Sequence, residues 1–175
     1  MLMLAIAAYT QAHMKTLYID VCVLCRPYDD QNQLRIRLET DGIFLILRQI
    51  EIGLYRAMVS PVHYKEVSAI REVSERLEME SLLDRLNKPC EYDLIQARDR
   101  AEALIDKGFG LADAAHVAFA EQLAEFFITC DDKLLKKCKQ AALRITAMSP
   151  LSSLLRRHYE YPYRSDRGTT HSSGH

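Results

Sequence analysis

The sequence predicts an α/β protein, a three-layer α/β/α sandwich with a mainly parallel central sheet. Short apolar runs rich in strand formers alternate with longer stretches of helical periodicity, which is the pattern of strands joined by crossover helices. The earliest of these runs, Leu17-Tyr18-Ile19, is apolar throughout and stops at a carboxylate, Asp20, as a strand buried on both faces does. The chain has 175 residues and is 49% hydrophobic, enough for one domain with a full core.

Taken in order, Leu17 to Ile19 forms the first, central strand. From Leu34 to about Leu54, apolar residues recur at helical spacing as Leu34, Leu38, Leu45, Ile46, Ile50 and Leu54. This predicts one long helix, with Gly42 as a point of interruption. Residues 55–59 read as a second strand. Ser60-Pro61 then supplies an N-cap with proline at the first helical position, so a helix starts there and carries Glu66. Helical stretches near 75–87 and 92–107 form an outer layer and end at Gly108-Phe109-Gly110. A helix follows over 111–124, a strand over 126–129, a basic helix over 132–139 and a last strand over 143–147. The domain is expected to span 14–158. It is preceded by an extension, 1–13, and followed by a polar tail, 159–175, of disordered composition.

Lysine and arginine total 23 against 24 aspartates and glutamates, so no global positive field advertises a nucleic-acid partner and any such contact must use a local patch. The five cysteines, Cys22, Cys25, Cys90, Cys130 and Cys138, are odd in number and lie in or beside apolar stretches, which suits a reducing cytoplasm. The opening Met1 to Ala8 is apolar but too short to span a bilayer, which takes roughly 20 residues, and no membrane segment is expected.

Sites in open α/β sheets form beyond the carboxyl ends of the strands, where Asp20 and Asp131 fall. Asp113 begins a helix whose following strand returns the chain to the same edge, bringing Asp131 near it. Glu66 lies in the second turn of the helix that leaves the second strand. Carboxylates gathered this way repel by on the order of 4 kcal/mol per pair at 4 Å and an effective dielectric of about 20, so such a cluster needs a cation or protons. An all-oxygen set without matched histidines suits Mg²⁺ or Mn²⁺, and two such ions would serve phosphodiester cleavage. Each acid taken singly is equally a helix cap, a strand-end cap or a solvated side chain. The joint arrangement carries the reading, because Asp113 lies in a nearly uncharged run, where a lone charge is costly without a partner.

Tyr18-Ile19-Asp20, the stretch from Ser60 to Glu66, Leu111-Ala112-Asp113-Ala114-Ala115-His116 and Phe127-Ile128-Thr129-Cys130-Asp131-Asp132 together resemble the PIN-domain family over about residues 15–148. The resemblance implies a three-layer α/β/α fold, a divalent metal site and ribonuclease activity, as in VapC-type toxins of toxin–antitoxin modules. It implies metal binding by Asp20, Asp113 and Asp131, with Glu66 as a further ligand or water-orienting base and Thr129 as a supporting hydroxyl. Asp132 competes with Asp131 for its role, although the helix start beside Lys133 suits Asp132 better as a cap. RNA, an antitoxin protein and a second copy in a homodimer are the partners the resemblance implies. Lys133, Lys136, Lys137 and Lys139 lie beside the expected site, and Arg156 and Arg157 precede a tyrosine-rich stretch; both groups suit phosphate contact. His116 is expected to pack or support rather than to react.

One position departs from the family pattern. Where many members carry a polar residue two positions after the first Asp, this chain has Cys22, a weak hydrogen-bonding partner. A module that binds RNA or a partner protein without cutting is therefore the alternative. A thiol-redox protein using Cys22 and Cys25 is a further one, since the pair follows a strand and may open a helix.

Overall fold

The computed structural model describes residues 14–160, with side chains through 155. The expected extension at 1–13 and the tail from 161 onward lie outside the described residues, as do the side chains of Arg156 and Arg157. Four strands, β1 (Lys15–Ile19), β2 (Tyr55–Met58), β3 (Phe126–Ile128) and β4 (Thr146–Met148), make one sheet in the order β2-β1-β3-β4. Every pairing is parallel, with Leu17 opposite Ala57 on one side and Phe126 on the other.

Among the described residues eight α-helices connect and cover the strands: α1 (Val21–Leu24), α2 (Leu34–Glu51), α3 (Pro61–Val67), α4 (Val73–Leu86), α5 (Leu94–Ile105), α6 (Leu111–Leu123), α7 (Asp132–Gln140) and α8 (Pro150–Glu160). Side chains on a strand alternate between faces, and the two hydrophobic clusters follow that rule. Tyr18, Met58 and Phe127 pack with Leu104 of α5, Val117 and Phe119 of α6 and Leu134 of α7. Leu17, Ile19 and Ile128 pack on the other face with Val23 of α1, Ile43 and Ile46 of α2 and Met79 and Leu83 of α4. The result is the three-layer α/β/α arrangement expected from the sequence.

Three expectations need correction. Helix α2 runs through Gly42 without a break. A glycine is placed there because a Cβ would stand 3.2 Å from the Pro150 Cβ of α8, so its absence lets α8 pack closely. The last strand begins at Thr146 rather than 143, because the Arg144 amide donates to the Glu121 side chain (2.8 Å) instead of to a neighbouring strand. Helix α8, over residues for which no element is expected, runs to Glu160, across the expected domain boundary at 158. Among the described residues no helix is long and apolar enough to cross a membrane.

The topology fixes where a site can form. From β1 the chain moves to β2 on one side, and it later returns to β3 on the other side of β1. The order therefore reverses between β1 and β3, and a crevice opens beyond the carboxyl ends of strands at such a switch point. The Asp20 amide donates to the Ile128 carbonyl (2.9 Å), tying the ends of these two strands together.

Candidate metal centre

Asp20 follows directly on β1 and is almost fully buried, at 7% exposure. Its Oδ2 accepts hydrogen bonds from the Thr129 hydroxyl (2.7 Å) and the Cys22 thiol (3.2 Å). Thr129, at the end of β3 and wholly buried, also accepts from the Asp131 amide (3.2 Å). Two donors on Oδ2 fix the carboxylate, and Oδ1 faces His116 Nε2 at 4.0 Å.

Ser60 caps α3 and Pro61 occupies its first turn, as expected, and Glu66 rides on this helix. Glu66 Oε2 lies 3.0 Å from His116 Nε2. His116 comes from α6, three residues after Asp113, a spacing that puts both on one helix face. Ligand atoms of Asp20, Glu66 and His116 all lie within 4.8 Å of one another. His116 is 2% exposed, and despite its proximity to Glu66 its Nε2 has no aligned hydrogen-bond partner. A buried ring nitrogen left without a partner and aimed at two carboxylates is a costly arrangement unless something else meets it. Asp20, Glu66 and His116 together offer donors that could hold a divalent cation there.

The electrostatics point the same way. Burial first, then the charges of Asp20 and Asp131, push Asp113 above the usual carboxylate range, while Lys137 acts in the opposite sense. The adjacent His116 imidazole holds Glu66 below that range against the opposing effect of burial. Asp113 thus sits among like charges at the edge of the group without joining the three atoms at ligand spacing.

Of the sequence-predicted acids, Asp20 and Glu66 offer ligand atoms within 4.8 Å of each other, and Asp113 feels the charges of both Asp20 and Asp131. The expectation that Asp132 caps the following helix is corrected. Asp131 is the cap, its carboxylate accepting from the Lys133 and Leu134 amides (2.7 and 3.0 Å). Asp132 is exposed and takes a two-pronged pair from Arg35 (2.6 and 2.9 Å). Arg35 also reaches Glu39 (2.8 Å), buried in the middle of α2, so this aspartate fastens α7 to α2. Lys133 and Lys136 are exposed on α7, and Lys137 lies close enough to Asp113 to oppose its shift.

The atoms at ligand spacing are not all oxygen, because His116 Nε2 lies among them. Its signal was present as the one-turn spacing from Asp113, but an apolar helix face made packing the simpler reading. Its other nitrogen, Nδ1, stands 2.9 Å from the Tyr18 hydroxyl, which is 2.6 Å from Ser60 Oγ. Both groups are buried beneath the site and neither was anticipated. The surroundings of Cys22 and Cys25 disfavour the thiolate form. Burial and Glu75 push Cys25 up to about 12, and contact with Cys130, burial and Asp20 push Cys22 well above the usual thiol range. A redox nucleophile requires the reverse.

A surface cavity of about 960 Å³, lined by residues that include Tyr92, Asp99, Arg100, Glu121 and Arg144, shares no residue with the acid group. Compared with models of known families, with curated proteins and with solved structures, the chain matches none. The functional reading therefore rests on geometry and chemistry.

Proposed function

We propose that this chain is a divalent-metal-dependent endoribonuclease, hydrolysing RNA phosphodiester bonds at the switch point between β1 and β3. The observation that carries the reading is the convergence of Asp20, Glu66 and the unpartnered His116 Nε2, flanked by Asp113 and Asp131. The resemblance of these motifs to PIN domains supports RNA as the substrate, with Mg²⁺ or Mn²⁺ as the ion, and the odd number of cysteines in apolar stretches supports a reducing cytoplasm.

Asp20, with Oδ2 already occupied, offers Oδ1, and Glu66 and His116 offer one atom each. When bound, the cation would activate water and neutralise charge on the scissile phosphate. Asp113, held above its usual range, is the residue suited to accept the proton that the attacking water loses. Lys137, with Lys133 and Lys136 on the same helix, supplies the positive charge that the neutral chain as a whole lacks, and phosphates of a polynucleotide are its natural partners.

Incubating the purified protein with mixed RNA, with Mn²⁺ or Mg²⁺ and with EDTA, beside the variant Asp113→Asn, tests the proposal. Cleavage should require the ion and vanish in the variant. Cleavage indifferent to both would refute it. The second reading, a module that binds RNA without cutting, is favoured by the weak Cys22 donor on Asp20, and saturable RNA binding without turnover would select it.

A further inference from the structure

Beneath the site, a single line of buried polar groups runs from His116 through Tyr18 and Ser60 to His63. His116 Nδ1 is 2.9 Å from the Tyr18 hydroxyl, that hydroxyl is 2.6 Å from Ser60 Oγ, and Ser60 Oγ is 3.2 Å from His63 Nδ1. Tyr18, Ser60, His63 and His116 are each at most 2% exposed, so water does not complete their hydrogen bonding.

The far end of this line is fixed by the backbone. His63 Nδ1 accepts from the Ser60 amide (3.1 Å), and its Nε2 donates to the Ile19 carbonyl (2.9 Å). An amide only donates and a carbonyl only accepts, so His63 is neutral with its proton on Nε2. With the His63 Nδ1 lone pair taken by the Ser60 amide, the Ser60 hydroxyl is able to accept from the Tyr18 hydroxyl at 2.6 Å. In that sense of the line Tyr18 accepts from Nδ1–H of His116 and the Nε2 lone pair faces Asp20 and Glu66; in the reverse sense Nε2–H faces Glu66 at 3.0 Å, and a cation bound there selects the first. Metal-binding histidines are held in this way, with the second ring nitrogen donating to a fixed acceptor.

We propose that His116 is a metal ligand through Nε2, oriented by Tyr18 and Ser60, and that this nitrogen makes the site select a first-row transition ion of the Mn²⁺ to Zn²⁺ class over Mg²⁺. The inference rests on the metal-centre reading above and narrows it. Mg²⁺ favours oxygen donors and gives up water reluctantly, whereas imidazole suits Mn²⁺, Co²⁺ and Zn²⁺. Tyr18 and Ser60 are positioning residues, acting through the ring they orient.

Co²⁺ binding to the RNA-free full chain, followed by visible absorption and proton NMR, tests this without reference to turnover. The wild type should bind Co²⁺ and show one exchangeable, hyperfine-shifted proton, the Nδ1–H of His116. Mg²⁺ at comparable concentration should fail to displace the ion. His116→Asn should lose the signal and the selectivity. Tyr18→Phe, which keeps the buried ring, should weaken Co²⁺ binding by about 10- to 100-fold. Absence of the shifted proton in the wild type, equal competition by Mg²⁺, or Co²⁺ binding unchanged in both variants would overturn the proposal. If His116→Asn fails to fold, the wild-type proton and Tyr18→Phe decide. His116-dependent Co²⁺ binding without RNA cleavage would refute the nuclease reading alone. Cleavage by the wild type driven equally by Mg²⁺ and Mn²⁺ would refute this inference alone.

Discussion

Replacing Thr129 by valine tests whether Asp20 is held for a cation by its neighbours or merely buried. Thr129 is wholly buried, and its hydroxyl both donates to Asp20 Oδ2 (2.7 Å) and accepts from the Asp131 amide (3.2 Å). A hydrogen bond to a charged group contributes about 1.5–3 kcal/mol, and the amide left without an acceptor costs on the order of 1 kcal/mol more. The added methyl returns about 0.8 kcal/mol of burial. The net loss is about 2–3 kcal/mol, which for a chain of this size lowers Tm by about 4–12 °C. Urea denaturation in EDTA reads the loss, and Thr129→Ser should restore most of it because the hydroxyl returns. With its Oδ2 held only by the Cys22 thiol, Asp20 should also bind Co²⁺ more weakly in the valine variant. A valine variant within about 0.5 kcal/mol of wild type, or a serine variant no better than valine, would refute the reasoning; surface-like substitutions fall in that range.

Two further predictions follow from the same neighbourhood. His63 is pushed from its ordinary 6.5 to about 3, so the unfolded chain takes up a proton that the folded one refuses. Stability should therefore be full above pH 6.5 and fall as pH drops toward 3, with a slope from this group of up to about 1.4 kcal/mol per pH unit. Stability curves of wild type and His63→Gln between pH 6 and 4 check this, and identical slopes would count against it. Asp131 and Asp132 should separate cleanly. Asp131→Ala removes a helix cap worth about 1 kcal/mol, and Asp131→Asn should keep the cap while reducing RNA cleavage. Asp132→Asn touches only an exposed pair with Arg35 and should leave cleavage intact, so an inactive Asp132 variant would reverse the two assignments.

The parts of the fold legible in the sequence are those where local chemistry and the final packing agree. Ser60-Pro61 reads as a helix start and is one, and Leu17 to Ile19 reads as a doubly buried strand and divides its side chains between the two cores. Helix α8 carries the same start signal in Ser149-Pro150, where Ser149 Oγ accepts from the Ser152 amide (3.2 Å), yet the polar composition of the stretch that follows masks its helical period. The start of β4 depends on the Glu121 side chain capturing the Arg144 amide, a contact between residues 23 positions apart that no local pattern encodes. The site was legible to the same extent. Acids at strand ends announce themselves, but a histidine on an apolar helix face reads as core until the direction of its free nitrogen is known.

Cys22 illustrates how position can outweigh residue type. From the sequence it is a departure that weakens the case for catalysis. In the structure the thiol is held well above its usual range and so stays protonated, which makes it a hydrogen-bond donor and not a thiolate competing for the cation. It donates to the same Asp20 oxygen that Thr129 holds, and it lies 3.4 Å from the Thr129 hydroxyl. A polar residue there would orient Asp20 by the same contact with a stronger bond. The substitution therefore weakens one of two supports of a single carboxylate oxygen and removes no ligand. Its consequence belongs in how firmly Asp20 is held, which is the quantity that the Thr129 variants measure.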